Sequence, residues 1–118
     1  MRLGWIAASR NSWRGLARTV REERSAQQEA IAIVLAVPAA SIVADGLRHA
    51  LVLIGVVVLV LAVELLNSGL ETLADRITRE RDPAIGRAKD AGSAAVTLTI
   101  LTAAAFWIEA VVAFLMRA

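Results

Sequence analysis

Four oxygen-bearing side chains recur at helical spacing along one stretch of this chain. Glu64, Asn67, Glu71 and Asp75 begin just after the apolar run Ala50–Val63. On an α-helix Asn67, Glu71 and Asp75 fall about 60°, 20° and 20° from the direction of Glu64, so all four share a narrow stripe. An ionised side chain in mid-bilayer costs roughly 2.5–3.5 kcal/mol even on lenient insertion scales. Packing gives no reason to bear that cost repeatedly on one face. A row of acceptors in such a place suits a metal ion or a proton. Carboxylate and amide oxygens ligate hard cations, and a positioned carboxylate can accept and return a proton.

The composition sets the medium in which this chemistry would run. The chain has 118 residues, 58% of them hydrophobic, and a mean hydropathy of +0.62, far above a soluble domain. With no cysteine there is no disulfide and no thiolate ligand, and the single histidine, His49, excludes a multi-histidine metal centre. Nucleic-acid binding is a poor explanation of the net charge of +2, because more than half of the chain prefers lipid. No G-x-x-x-x-G-K-[ST] loop and no protein-kinase signature occurs. The early arginines spread too widely, with no small-residue cleavage site after them, for a cleaved signal peptide to be expected.

The pattern predicts an all-α membrane protein forming a single membrane domain over residues 1–118. An amphipathic surface helix is expected at about 5–25, followed by transmembrane helices at about 29–45, 50–74 and 91–116. In the first segment Trp13, Leu16, Ala17 and Val20 recur at i, i+3, i+4, i+7, against a face of Arg10, Arg14, Arg18 and Arg21, the pattern of a helix lying in the headgroup layer. The arginines are equally readable as a plain topogenic anchor. Pro38 should bend or loosen the first span. Asp82-Pro83 favours a turn, with a new helix starting near Ile85–Lys89.

Charge fixes the expected orientation. Arg2, Arg10, Arg14, Arg18, Arg21 and Arg24 precede the first span, and Arg76, Arg79, Arg81, Arg87 and Lys89 lie between the second and third; only Arg48 and Arg117 fall on the other side. The bias predicts a cytoplasmic N-terminus and an outer C-terminus. With Ala50 at the outer edge, Glu64 lies about 21 Å and Glu71 about 31 Å inward at 1.5 Å per residue. Glu64 is then inside the apolar slab and Glu71 at the cytoplasmic interface. Lys89, the only lysine, stands beside Asp90 at the head of a small-residue helix; it is a candidate phosphate ligand or simply solvated charge.

Two long segments carry a resemblance: Glu64-Leu-Leu-Asn67-Ser68-Gly-Leu-Glu71-Thr-Leu-Ala-Asp75-Arg76, and Gly86-Arg87-Ala88-Lys89-Asp90-Ala-Gly92-Ser93-Ala94-Ala95-Val96. Together with Asn11-Ser12-Trp13-Arg14-Gly15-Leu16 and the Glu23 to Glu29 stretch, they make the chain resemble the prokaryotic diacylglycerol kinase family, in its Gram-negative-type branch, over nearly its whole length. The resemblance implies a homotrimer in the bacterial inner membrane, with sites shared between protomers, that phosphorylates diacylglycerol to phosphatidic acid using ATP and Mg²⁺. It implies Glu64 as base toward the lipid hydroxyl, with Asn67 beside it as an active-site residue. Glu23 and Glu71 would hold the metal, and Glu71, Glu80, Arg81, Asp82, Lys89 and Asp90 would face the nucleotide. Ser12, Trp13, Ser93 and Trp107 would lie near the lipid. Gly4, Asn11, Ala26 and Gln27 depart from residues common in that branch. An undecaprenol kinase of the same family is the near alternative, and a small proton-coupled transporter or a non-catalytic membrane scaffold the distant ones. Ser68 reads best as an interhelical hydrogen-bonding group, and the tryptophans equally well as interfacial anchors. Glu109 has no assignable role beyond a place near the outer interface.

Overall fold

The computed structural model describes residues 4–118; Arg2, counted in the charge bias above, lies outside them. Four helices follow in order: α1 (Gly4–Glu22), α2 (Arg24–Val43), α3 (Leu47–Ile77) and α4 (Pro83–Arg117). The protein is all-helical. α2, α3 and α4 are each long and apolar enough to cross a membrane, which makes it a multi-pass membrane protein with an additional N-terminal helix.

The 20 residues of α2 span about 30 Å, the thickness of the hydrocarbon. The other two are longer. The 31 residues of α3 and 35 of α4 reach about 46 and 52 Å, so both extend past the apolar slab. The fourth helix begins at Pro83, well before the segment expected to enter the membrane at about residue 91. The start has a local cause. Asp82 Oδ1 accepts from the backbone N–H groups of Ala84 and Ile85 at 2.9 and 3.1 Å. Pro83 occupies the first turn, where its missing N–H costs nothing. The helix is already formed when Gly86–Asp90 pass the polar end of α3.

α1 and α2 are separated by one residue, Glu23, whose backbone is extended. α2 runs through Pro38 without a break. The carbonyl of Val34 loses its usual donor there, a defect that membrane helices tolerate. At the opposite end Ala44–Gly46 make a short turn into α3. Gly46 has φ +101°, a backbone region that is nearly closed to residues with a Cβ. His49 supports this turn by accepting from the Asp45 N–H through Nδ1 at 2.9 Å.

α3 is the centre of the bundle. It packs along both α2 and α4, while α2 and α4 scarcely meet, and α1 touches the bundle lightly. An apolar cluster closes the end of the bundle where α2 turns into α3, with Ala40, Leu53 and Ala110 fully buried under Val43, Ile54 and Trp107. Trp107 Nε1 donates to the Leu53 carbonyl at 3.0 Å, and Arg117 Nη2 donates to the Val43 carbonyl at 3.0 Å. Large apolar side chains such as Leu35, Leu59, Leu66, Leu101 and Ile108 face outward. That inversion of the soluble pattern is expected where the solvent is lipid or another helix.

The cap on α4 can be tested by unfolding in detergent. Asp82→Ala should lower stability by about 1 kcal/mol, and Asp82→Asn should retain most of it; equal stability of all three proteins would remove the cap from this account.

Candidate functional site

The start of α2, the C-terminal half of α3 and the first turns of α4 gather the polar side chains. Glu64 is almost fully buried, and its Oε1 accepts from Ser25 Oγ at 2.6 Å. Glu23, in the joint between α1 and α2, accepts from the hydroxyl of Ser68 through Oε2. α2 and its leading residue thus reach across to α3 with a serine meeting a glutamate twice, in opposite senses. Ser68 is buried and serves the interhelical role expected for it.

On the other flank of α3, Asn67 Nδ2 points to Glu71 Oε1 at 3.4 Å, one turn along the same helix. The Glu71 side chain is exposed. Asp75, a further turn on, meets Lys89 of α4 with Nζ 2.5 Å from Oδ1. This is the one ion pair among the described residues, and both side chains are a little over one-third exposed. At that exposure it aligns the helices more than it stabilises them.

The predicted stripe is therefore one face with several neighbours. Glu64 answers to α2, Asp75 to α4, and Asn67 to Glu71 of its own helix. Two buried acceptors in this region, Glu29 Oε2 and Asn67 Oδ1, have no hydrogen-bond partner among the described residues. Unanswered buried oxygens are uncommon and mark places where an ion, a water or a ligand group completes the set.

A wide cleft of about 1120 Å³ opens between α1 and the inner half of α3. Ser12, Glu23 and Ser68 line one part of it, and Arg18, Arg76 and Arg79 another. Glu22 and Asp75 line it as well, so three acids and three arginines share its wall with the two serines. Glu64, Asn67 and Glu71 do not line it; Glu64 is turned toward α2, Asn67 toward α4, and Glu71 is exposed.

The remaining sequence-predicted residues fall in distinct places. Ser12 Oγ donates to the Ala8 carbonyl at 2.9 Å, and Trp13 is largely exposed on α1. The Glu80 N–H donates to Thr78 Oγ1 at 3.0 Å, and Arg81 is exposed beside it. Asp82 is occupied by its cap. Asp90 and Ser93 are exposed on α4. Trp107 stands far from this group at the opposite end of the bundle, against Leu53, about 16 Å along α3 from Glu64. Among the described residues no three acidic or histidine side chains converge as a metal-binding cluster. A divalent ion here would draw on one or two carboxylates of this chain, the sparse set typical of Mg²⁺ held together with phosphates.

Sequence reasoning missed Ser25 and Glu29. Ser25 sits one turn before Glu29 at the entry of the first span, and polar spacing at that entry was the available signal. Removing its hydroxyl leaves a buried carboxylate oxygen without its donor. Ser25→Ala should destabilise the protein by about 1.5–3 kcal/mol, read by denaturant unfolding in micelles; a change below 0.5 kcal/mol, about the scatter of surface substitutions, would rule the contact out as a structural tie.

Comparison with known proteins places this arrangement. Residues 10–111 match the family described as prokaryotic diacylglycerol kinase. The chain is 43% identical over 103 residues to the diacylglycerol kinase of Escherichia coli strain K12, covering 86% of this chain and 84% of that protein. It is 37% identical over 99 residues to the diacylglycerol kinase of Pseudomonas aeruginosa strain PAO1, covering 82% and 80%. It is also 33% identical over 102 residues to that of Haemophilus influenzae strain Rd, covering 86% of each. The shared stretch takes in Glu23, the α3 ladder and the Lys89 seam together, and on that coverage the chain belongs to the prokaryotic diacylglycerol kinase family of integral-membrane lipid kinases.

Proposed function

We propose that this protein transfers the γ-phosphoryl group of ATP to the free hydroxyl of diacylglycerol, giving phosphatidic acid, at the cytoplasmic face of a bacterial inner membrane and as a homotrimer. The observation that carries the reading is the division of labour along α3. Glu64 is buried and held by Ser25, while Glu71, two turns nearer the cytosol, is exposed. A lipid alcohol arrives through the bilayer and a nucleotide from water, so their meeting point needs one acidic group on each side of the boundary. Family membership and this asymmetry favour an enzyme over a proton-coupled transporter.

Phosphoryl transfer requires positioning and charge stabilisation more than covalent chemistry. Glu64 takes the proton of the lipid hydroxyl as its oxygen attacks the γ-phosphorus. The bond from that phosphorus to the bridging oxygen breaks, and ADP leaves. Ser25 fixes one oxygen of Glu64 and leaves the other for the proton. Asn67 donates to Glu71 and orients it. Glu71 and Glu23 would hold Mg²⁺, which when bound supplies neutralisation of phosphate charge. The Glu80-Arg81-Asp82 loop, Lys89 and Asp90 face the nucleotide. Lys89 can exchange its contact with Asp75 for a phosphate oxygen. Ser12, Trp13 and Ser93 lie at the lipid headgroup level, and Trp107 flanks the acyl chains.

The direct test is magnesium-dependent transfer of labelled γ-phosphate to diacylglycerol by the purified protein in mixed micelles. Glu64→Gln and Glu71→Gln should each lower kcat by about 10²-fold or more while the oligomer stays intact. Full turnover by both variants, or strong preference for undecaprenol in a parallel assay, would overturn the reading. Orientation has its own test, helped by the absence of cysteine. In sealed cells an impermeant maleimide should label Asp45→Cys and spare Ser9→Cys; the reverse pattern would invert the topology.

A further inference from the structure

Of the seven glycines, Gly92 alone has a neighbour where a Cβ would stand. A methyl group there would overlap Asn67 Oδ1. It would also lie 3.3 Å from Asn67 Cγ and 2.9 Å from Leu70 Cδ2. Gly92 is on α4, about one turn after Lys89 along the helix, and the Lys89–Asp75 contact holds α4 against α3 near that level.

The carboxamide of Asn67 has one donating end and one accepting end. Its Nδ2 faces Glu71 Oε1, and only that end can satisfy a carboxylate. Oδ1 must then point away, and it is the buried oxygen left without a conventional donor. What it meets is the bare Cα of Gly92, whose C–H is the kind of weak donor found where helices approach closely. A Cβ would occupy the space that Oδ1 needs, and the carboxamide would have to rotate away from Glu71.

We propose that Gly92 is a positioning residue for the phosphoryl transfer. Its missing side chain is the seat of the Asn67 carboxamide, and through that seat α4 sets the direction of Glu71. This rests on the lipid-kinase reading above, but it makes a separate claim. A glycine that served only close helix packing would influence stability and leave the Asn67–Glu71 pair alone.

The experiment compares the full-length wild type with Gly92→Ala, Gly55→Ala, Asn67→Ala and the double variant Asn67→Ala/Gly92→Ala. Gly55 lies on α3 with nothing near its Cβ position and serves as the control. Gly92→Ala should lower kcat by about ten- to a hundred-fold and change KM for diacylglycerol less than about two-fold, the pattern of a misplaced group. In the Asn67→Ala background the same substitution should change the residual single-turnover rate less than about two-fold, because the displaced group is already gone. A second readout does not need activity. The chain has two asparagines, Asn11 and Asn67, so asparagine-selective ¹⁵N labelling gives two side-chain amide pairs. The pair lost in Asn67→Ala should shift in Gly92→Ala and stay in place in Gly55→Ala. Unchanged kcat in Gly92→Ala, a full multiplicative loss in the double variant, or an unmoved Asn67 amide would each overturn the proposal. Should the wild type fail to phosphorylate diacylglycerol, the kinase reading falls, and the amide shift still decides whether Gly92 seats Asn67.

Discussion

A carboxylate at the edge of an oil layer must be answered by a donor, and the inner half of this protein is arranged around that requirement. Water is scarce there, and an unanswered charge is costly. Ser25 answers Glu64, Ser68 answers Glu23, and Lys89 answers Asp75. Each of these contacts joins two different segments of the chain. Solvating the acids and holding the helices together are here one task. Within one chain these ties complement a small apolar core, in which Leu53 is the one large side chain fully enclosed among the described residues.

The same requirement grades the acids by how fully the chain satisfies them. Asp75 has a cationic donor within the chain, and Glu23 a serine donor on one oxygen only. Glu64 has a donor on one oxygen, and Glu71 has a long contact to a neutral amide in an exposed position. Incomplete satisfaction is what a group needs if it is to accept a proton or a cation during turnover. The unpartnered oxygens of Glu29 and Asn67 lie in the same inner region, so the donors run short where a substrate would supply them.

Much of this was legible beforehand. Three apolar runs, the surface helix and the stripe Glu64–Asp75 follow from periodicity and charge. The identity of the partners did not. Periodicity states which residues share a face of α3 and is silent on which helix covers it, so Ser25 passed as one small polar residue among others. The early start of α4 was likewise obscured, because hydropathy marks where a helix enters lipid, whereas the Asp82 cap and Pro83 decide where it begins. The fit of Gly92 against Asn67 depends on the register between two helices, which no single-chain pattern contains.

The two ends of the bundle are fastened differently. Trp107 to Leu53 and Arg117 to Val43 stitch three helices at the outer end through backbone carbonyls, which are fixed points. At the inner end the ties run mostly between side chains, which can rotate and exchange partners. Helices clamped at one end and laced at the other have the build of a forceps, with the acids at its tips and the hinge at Trp107 and Arg117.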